Sequence, residues 1–134
     1  MKEKKLSIIV PIFENKDNFL KFYKNTEKII SENVNIEFIF VDDGNDYNLE
    51  ELINVNKNQF FLIKNEKNLG YGASIKKGVL LSKNDINAII DCDNSYDLDH
   101  LINLFDNFKK NTCDMIVGKR IFKYKDNFFK VTFR

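Results

Sequence analysis

Apolar and polar positions alternate along this chain between two periods. Residues 6–10 are a continuous apolar run broken only by Ser7 and closed by Pro11, the pattern of a strand buried on both faces. From a capping residue at Asn15 or Asp17, the residues Phe19, Leu20, Phe22, Tyr23, Thr26, Ile29 and Ile30 recur at helical spacing. Residues 36–41 form a second buried run that ends in Asp42-Asp43-Gly44-Asn45-Asp46. A short helix over 49–55 leads to a third strand at 60–64, and the turn 65–72 opens a helix from about 73 to 81. A fourth strand at 87–91 precedes the clearest amphipathic helix, marked by Leu98, Leu101, Ile102, Leu104, Phe105 and Phe108. Residues 114–118 are expected to form a short fifth strand.

Strands alternating with helices at this spacing predict a parallel sheet with right-handed crossovers, an α/β three-layer sandwich of Rossmann-like type. Open sheets of this kind bind ligands beyond the carboxyl ends of their strands. Four of the five expected strands end in polar or special residues: Pro11-Ile12-Phe13-Glu14, Asp42-Asp43-Gly44, Asp91-Cys92-Asp93 and Gly118-Lys119-Arg120. These ends are expected to converge on one edge. Asp91 and Asp93, spaced i, i+2 where a strand leaves the sheet, can both turn toward a hard cation. Mg²⁺ or Mn²⁺ takes oxygen ligands and commonly sits on one or two carboxylates plus substrate phosphates. The same residues also suit a plain strand-end loop with a helix cap.

At 134 residues with 43% hydrophobic and 31% charged residues, the chain fits one globular domain with a real core. A net charge of +1 with interspersed signs gives no field for nucleic acid. Cys92 and Cys113 are too few for a disulfide framework and lack metal-type spacing, so both are expected as free thiols in a reducing, cytoplasmic compartment. The apolar run after Met1-Lys2-Glu3-Lys4-Lys5 is too short for a signal peptide or a membrane span. Residues 121–134 mix Phe122, Tyr124, Phe128, Phe129, Val131 and Phe133 with Lys123, Lys125, Lys130 and Arg134. Such a segment suits an interfacial helix on anionic lipid, or a last element packed on the core or on a neighbouring subunit. The lone His100 reads as a surface group.

Five blocks carry a likeness. They are Ile9-Val10-Pro11-Ile12-Phe13-Glu14-Asn15; Phe40-Val41-Asp42-Asp43-Gly44-Asn45; the run from Asn65 through Asn68, Gly70 and Gly72 to Ala73 with Lys77-Gly78; Asp91-Cys92-Asp93-Asn94-Ser95 with Asp97; and Ile116-Val117-Gly118-Lys119-Arg120. In this order and spacing the chain resembles the amino-terminal half of a family 2 glycosyltransferase with a GT-A fold. The likeness is greatest to the branch that makes polyprenyl-phosphate sugars, such as dolichyl-phosphate mannose. The resemblance implies that Pro11, Ile12, Phe13, Glu14 and Asp42 hold the nucleotide base, because a carboxylate accepts the N–H of a uracil or guanine ring. It implies that Asn68 and Gly70 approach the donor, beside Asp91 and Cys92, although Cys92 itself is expected to point into the core. Asp91 and Asp93, with Ser95 where the branch often has Gln, are implied to hold Mg²⁺ or Mn²⁺ at the diphosphate of a UDP or GDP sugar. Lys119 and Arg120 are implied phosphate or sugar contacts. Alternatives stand beside each: a turn at Asp42-Asp43-Gly44, a Gly-rich helix start without phosphate, and a solvated strand end at Lys119.

Relatives of this branch run well beyond 134 residues, so the resemblance implies a truncated form. Residues 1–120 are expected to be the nucleotide-sugar-binding part, and 121–134 the start of an acceptor-side region. A lipid phosphate acceptor is already an anion and needs little or no catalytic base. The expected activity is inverting, metal-assisted sugar transfer to a polyprenyl phosphate or a growing glycan, with peripheral membrane contact. An exposed sheet edge also leaves room for a homodimer. The alternative is a donor-binding module without turnover. A receiver-like domain fits poorly, since the acidic pairs follow strands two and four, and a dinucleotide oxidoreductase lacks its Gly-x-Gly-x-x-Gly after strand one.

Overall fold

A computed structural model describes residues 4–53 and 58–119. Four strands form one sheet in the order β3-β2-β1-β4: β1 (Leu6–Ile12), β2 (Ile36–Asp42), β3 (Phe60–Lys64) and β4 (Ile86–Ile89). Every pairing is parallel, with Ile9 opposite both Ile39 and Ile89, and Val41 opposite Ile63. Helices α1 (Lys16–Glu32) and α3 (Leu98–Lys110) cover one face, and α2 (Tyr71–Leu81) covers the other. This is the three-layer α/β architecture that the alternation of strands and helices predicts.

The two faces follow from the period-two geometry of a strand. Ile8, Val10, Ile12, Phe38 and Phe40 point toward α1, where they meet Phe19, Phe22, Tyr23, Ile29 and Ile30 in the main core. Ile9, Ile39 and Val41 point the other way, toward α2. On that second face the helix backbone comes close: a Cβ added to Gly78 would lie 2.6 Å from the Ile9 Cγ2 and 3.3 Å from the Val41 Cγ2. Absence of a side chain at Gly78 is what lets α2 seat on β1 and β2.

Several expected boundaries shift. Pro11 lies inside β1 rather than ending it, opposite Val41 in the ladder. Its missing N–H costs nothing there. Ile9 faces β4, since its carbonyl accepts from the Ile90 N–H, so Pro11, two residues on, faces the same side beyond the last β4 rung. Helix α2 begins at Tyr71, earlier than the expected start near 73. The helix expected over 49–55 is a 3-10 turn, Leu49–Glu51, and residues 54–57 lie outside the described residues.

The expected fifth strand at 114–118 does not form. A groove of about 480 Å³, lined by Asn87–Asp91 on one side and Met115–Gly118 on the other, separates this segment from the edge of β4. Met115 is 77% exposed and Val117 73%, so little apolar surface is buried to hold a strand against that edge. Residues 120–134, including Arg120 and the aromatic and basic stretch, lie outside the described residues. Among the described residues no helix is long and apolar enough to cross a membrane.

Candidate functional site

The carboxyl ends of β1, β2 and β4 and the loop between β3 and α2 enclose a cleft of about 330 Å³. Pro11, Ile12, Phe13 and Asn15 come from β1 and its exit; Asp43 follows β2; Asn68, Gly70 and Tyr71 lead into α2; Asp91, Cys92 and Asp93 follow β4. Eight of the residues expected to bind donor or metal therefore meet in one place: Pro11, Ile12, Phe13, Asn68, Gly70, Asp91, Cys92 and Asp93. Glu14 and Ser95 are exposed just outside the lining, and Lys119 is exposed on the segment after α3.

The two acids after β2 separate. Asp42 continues the face of Phe38 and Phe40 and is fully buried, beneath the cleft rather than in it. Its Oδ1 accepts from the Asn45 backbone N–H at 2.9 Å and from Asn45 Nδ2 at 2.7 Å. Its Oδ2 is a buried oxygen with no hydrogen-bond partner among the described residues. Asn45 also donates from Nδ2 to the Ile12 carbonyl at 2.9 Å and accepts from the Glu14 N–H at 2.6 Å. With Tyr47 donating to the Glu14 carbonyl at 2.9 Å, it holds the β1 exit, where Glu14 and Asn15 take left-handed backbone angles (φ 55 and 63). Beside this bend Phe13 is 46% exposed and lines the cleft.

Asp43 pins the opposite wall. Its Oδ1 accepts from the Leu69 N–H and from Asn65 Nδ2, and its Oδ2 accepts from the Gly70 N–H, all at 2.9 Å. Asn65 in turn donates to Ser74 Oγ at 3.1 Å and accepts from Lys77 Nζ at 2.7 Å. Gly44, at φ 78, completes the contact: an added Cβ would sit 2.4 Å from the Lys67 carbonyl carbon and 2.5 Å from the Asn68 nitrogen. Only glycine lets β2's exit touch this loop.

Burial raises the Asp43 pKa, but the bonds from Leu69, Asn65, Ser74 and Gly70 outweigh it, and the net shift is below the ordinary 3.8. The folded state thus binds a proton less readily than the unfolded chain. The resulting stability is present above about pH 4 and is lost as pH falls through the folded value. The urea midpoint of the wild-type chain should therefore fall below about pH 4, and Asp43→Asn should flatten that slope. The same variant should cost about 1–3 kcal/mol at pH 7, because one acceptor oxygen becomes a donor facing N–H groups. An unchanged slope would contradict this role.

Tyr71 opens α2 and its hydroxyl donates to Asp91 Oδ1 at 2.7 Å. Burial and this bond push its pKa above the ordinary tyrosine value, so it stays a neutral donor. Asp93 Oδ1 accepts from the Ser95 N–H at 2.8 Å, and Asn94 (φ 60) donates from Nδ2 to the Asn18 carbonyl at 2.9 Å, fixing this loop to α1. Cys92 points inward as expected, 7% exposed, and burial, with the charges of Asp93 and Asp91, pushes its thiol up to about 11. At pH 7.5 iodoacetamide should label the partly exposed Cys113 and spare Cys92, with both labelled in urea; mass mapping that finds equal native labelling would contradict the placement.

Among the described residues no Lys or Arg lines the cleft, whereas Asp43, Asp91 and Asp93 do. A cation between these acids and an anionic ligand would screen their repulsion. The donor set suits a hard ion: two carboxylates one residue apart, with remaining positions left for phosphate and water. Among the described residues no group of three His, Cys, Asp or Glu side chains could hold a metal by itself. The amino end of α2 adds a partial positive charge at the same wall.

The model of the family described as "Glycosyl transferase family 2" matches residues 7–133. An uncharacterized protein of Methanocaldococcus jannaschii is 32% identical over 125 residues, which cover 87% of this chain and 52% of that protein. A probable glycosyltransferase of Sulfolobus acidocaldarius is 30% identical over 118 residues, 84% of this chain and 25% of its own length. The chain thus spans about half the length of one relative and a quarter of the other.

Proposed function

The chain belongs to glycosyl transferase family 2, and on that premise we propose that its cleft binds a nucleoside-diphosphate sugar together with Mg²⁺ or Mn²⁺ for inverting hexosyl transfer. The observation that carries this reading is a cleft lined, among the described residues, by Asp43, Asp91 and Asp93 and by no basic side chain, at the strand ends where such sheets take ligands. Phe13 offers its ring to the base, with Pro11, Ile12 and Glu14 shaping that end. Asp42 is the acceptor for a ring N–H; its unpaired Oδ2 supports this, since a buried carboxylate oxygen without a donor is costly to leave unmet. Contact between them requires the Asn45-tied bend to give way. Asn68 and Gly70 bring the amino end of α2 to the phosphates, and Asp91 and Asp93, with Ser95, hold the cation. When bound, that cation neutralises the departing nucleoside diphosphate.

The acceptor we infer is a polyprenyl phosphate or another lipid-linked glycan, met at the inner face of the plasma membrane. Residues 121–134 supply basic and aromatic side chains suited to that surface, and Lys119 with Arg120 supplies phosphate contacts. Incubation with UDP or GDP sugars and Mn²⁺, with and without polyprenyl phosphate, tests this directly. Nucleoside diphosphate release that depends on acceptor supports transfer. A chain that binds donor and releases nothing is instead a donor-binding module.

A further inference from the structure

We infer that Tyr71 is a positioning residue that holds the Asp91 carboxylate in the orientation from which it meets the cation of a bound nucleotide, an inference that rests on the reading above. Asp91 lies beyond the last rung of β4, since Ile90 makes the final ladder bond to Ile9. The sheet therefore fixes the Asp91 backbone only from one side. The Tyr71 hydroxyl donates to Oδ1 at 2.7 Å and so engages one carboxylate oxygen of a residue that lines the cleft with Asp93.

Tyr71 is itself held firmly. Both oxygens of Asp43 bind the two backbone N–H groups just before it, at 2.9 Å each, and Gly70 turns the chain into α2 with φ 92. The result is a relay of rigid contacts from the end of β2, through the start of α2, to the end of β4. A role in stability alone fits poorly. Tyr71 is 55% exposed, so its ring buries little, and a solvent-accessible hydrogen bond contributes little net to folding. Hydrogen-bond partners of metal-ligating carboxylates do matter to the site, typically by 10–100-fold in affinity or activity.

Calorimetry of UDP and GDP binding, with Mn²⁺ and with EDTA, distinguishes the roles in the wild-type chain and Tyr71→Phe. The expected result is a loss of about 10- to 100-fold in Mn²⁺-dependent affinity, with binding in EDTA and the urea midpoint unchanged. Equal affinity in wild type and variant overturns the inference and leaves the nucleotide site standing. So does a matching loss in EDTA, which would make Tyr71 a direct nucleotide contact. A wild-type chain without Mn²⁺-dependent binding overturns the reading of the site and this inference with it. A second readout needs no ligand. The chain has no tryptophan, so tyrosine absorbance is directly readable, and a phenol bonded to a carboxylate absorbs to the red. Asp91→Ala should shift that band in the wild-type background and not in Tyr71→Phe; no shift in either background overturns the contact.

Discussion

Phe40→Ala is expected to cost about 3–5 kcal/mol, the usual price of emptying a buried phenylalanine site. Phe40 is fully buried at the centre of the sheet, and its ring meets Phe19 edge-on at 5.6 Å, Phe60 at 5.6 Å, and Phe38 and Tyr23 at 6.0 Å. These rings belong to α1, β2 and β3 and are fixed by separate backbone elements, so they cannot collapse together into the gap. Against a typical domain stability of about 5–15 kcal/mol, the loss is large enough to leave much of the variant unfolded at 37 °C. Urea unfolding followed by circular dichroism measures it. Leu80→Ala, at a position 72% exposed, should stay within about 0.5 kcal/mol of wild type. A loss under 1 kcal/mol in Phe40→Ala would contradict the placement of the core.

Asp91→Ala should do the opposite: leave folding intact and remove cation-dependent nucleotide binding. Asp91 lies outside the strand ladder and its recorded side-chain bond is to an exposed tyrosine, so stability should change by about 0.5 kcal/mol or less. Removing one member of a paired charge contact costs about 2–5 kcal/mol, which is roughly 30-fold or more in affinity. Asp93→Ala should behave similarly, with an added loosening of the Asn94–Ser95 turn that Asp93 Oδ1 organises. Calorimetry with Mn²⁺ and nucleotide reads both. Binding that survives both changes at wild-type strength would refute the assignment of this pair.

Much of this was legible from the residues. Buried parallel strands appear as continuous apolar runs, and β1, β2 and β3 stand close to where such runs lie. The same continuity hides which face each residue takes. Phe38-Ile39-Phe40-Val41 offers no polar alternation, so the sequence alone does not tell that Asp42 falls on the core face and Asp43 on the cleft. The roles of Asn45 and Tyr71 are not legible in the residues for a related reason. Their partners, Glu14 and Asp91, lie 31 and 20 residues away and are brought near only by the parallel crossovers. Pro11 reads as a strand end, yet its neighbour strand stops first and removes the cost. The 114–118 run looks like a strand because Met115-Ile116-Val117 is apolar, but Met115 and Val117 stay 77% and 73% exposed, so little burial holds the segment to the edge of β4.

Titrating the wild-type chain with UDP and with GDP, each in Mn²⁺ and in EDTA, bears most directly on the central claim. The predicted result is binding of one nucleotide that is far tighter in Mn²⁺ than in EDTA, because among the described residues three carboxylates and no basic side chain line the cleft. Equally tight binding in EDTA, or none of either nucleotide in Mn²⁺, would contradict it.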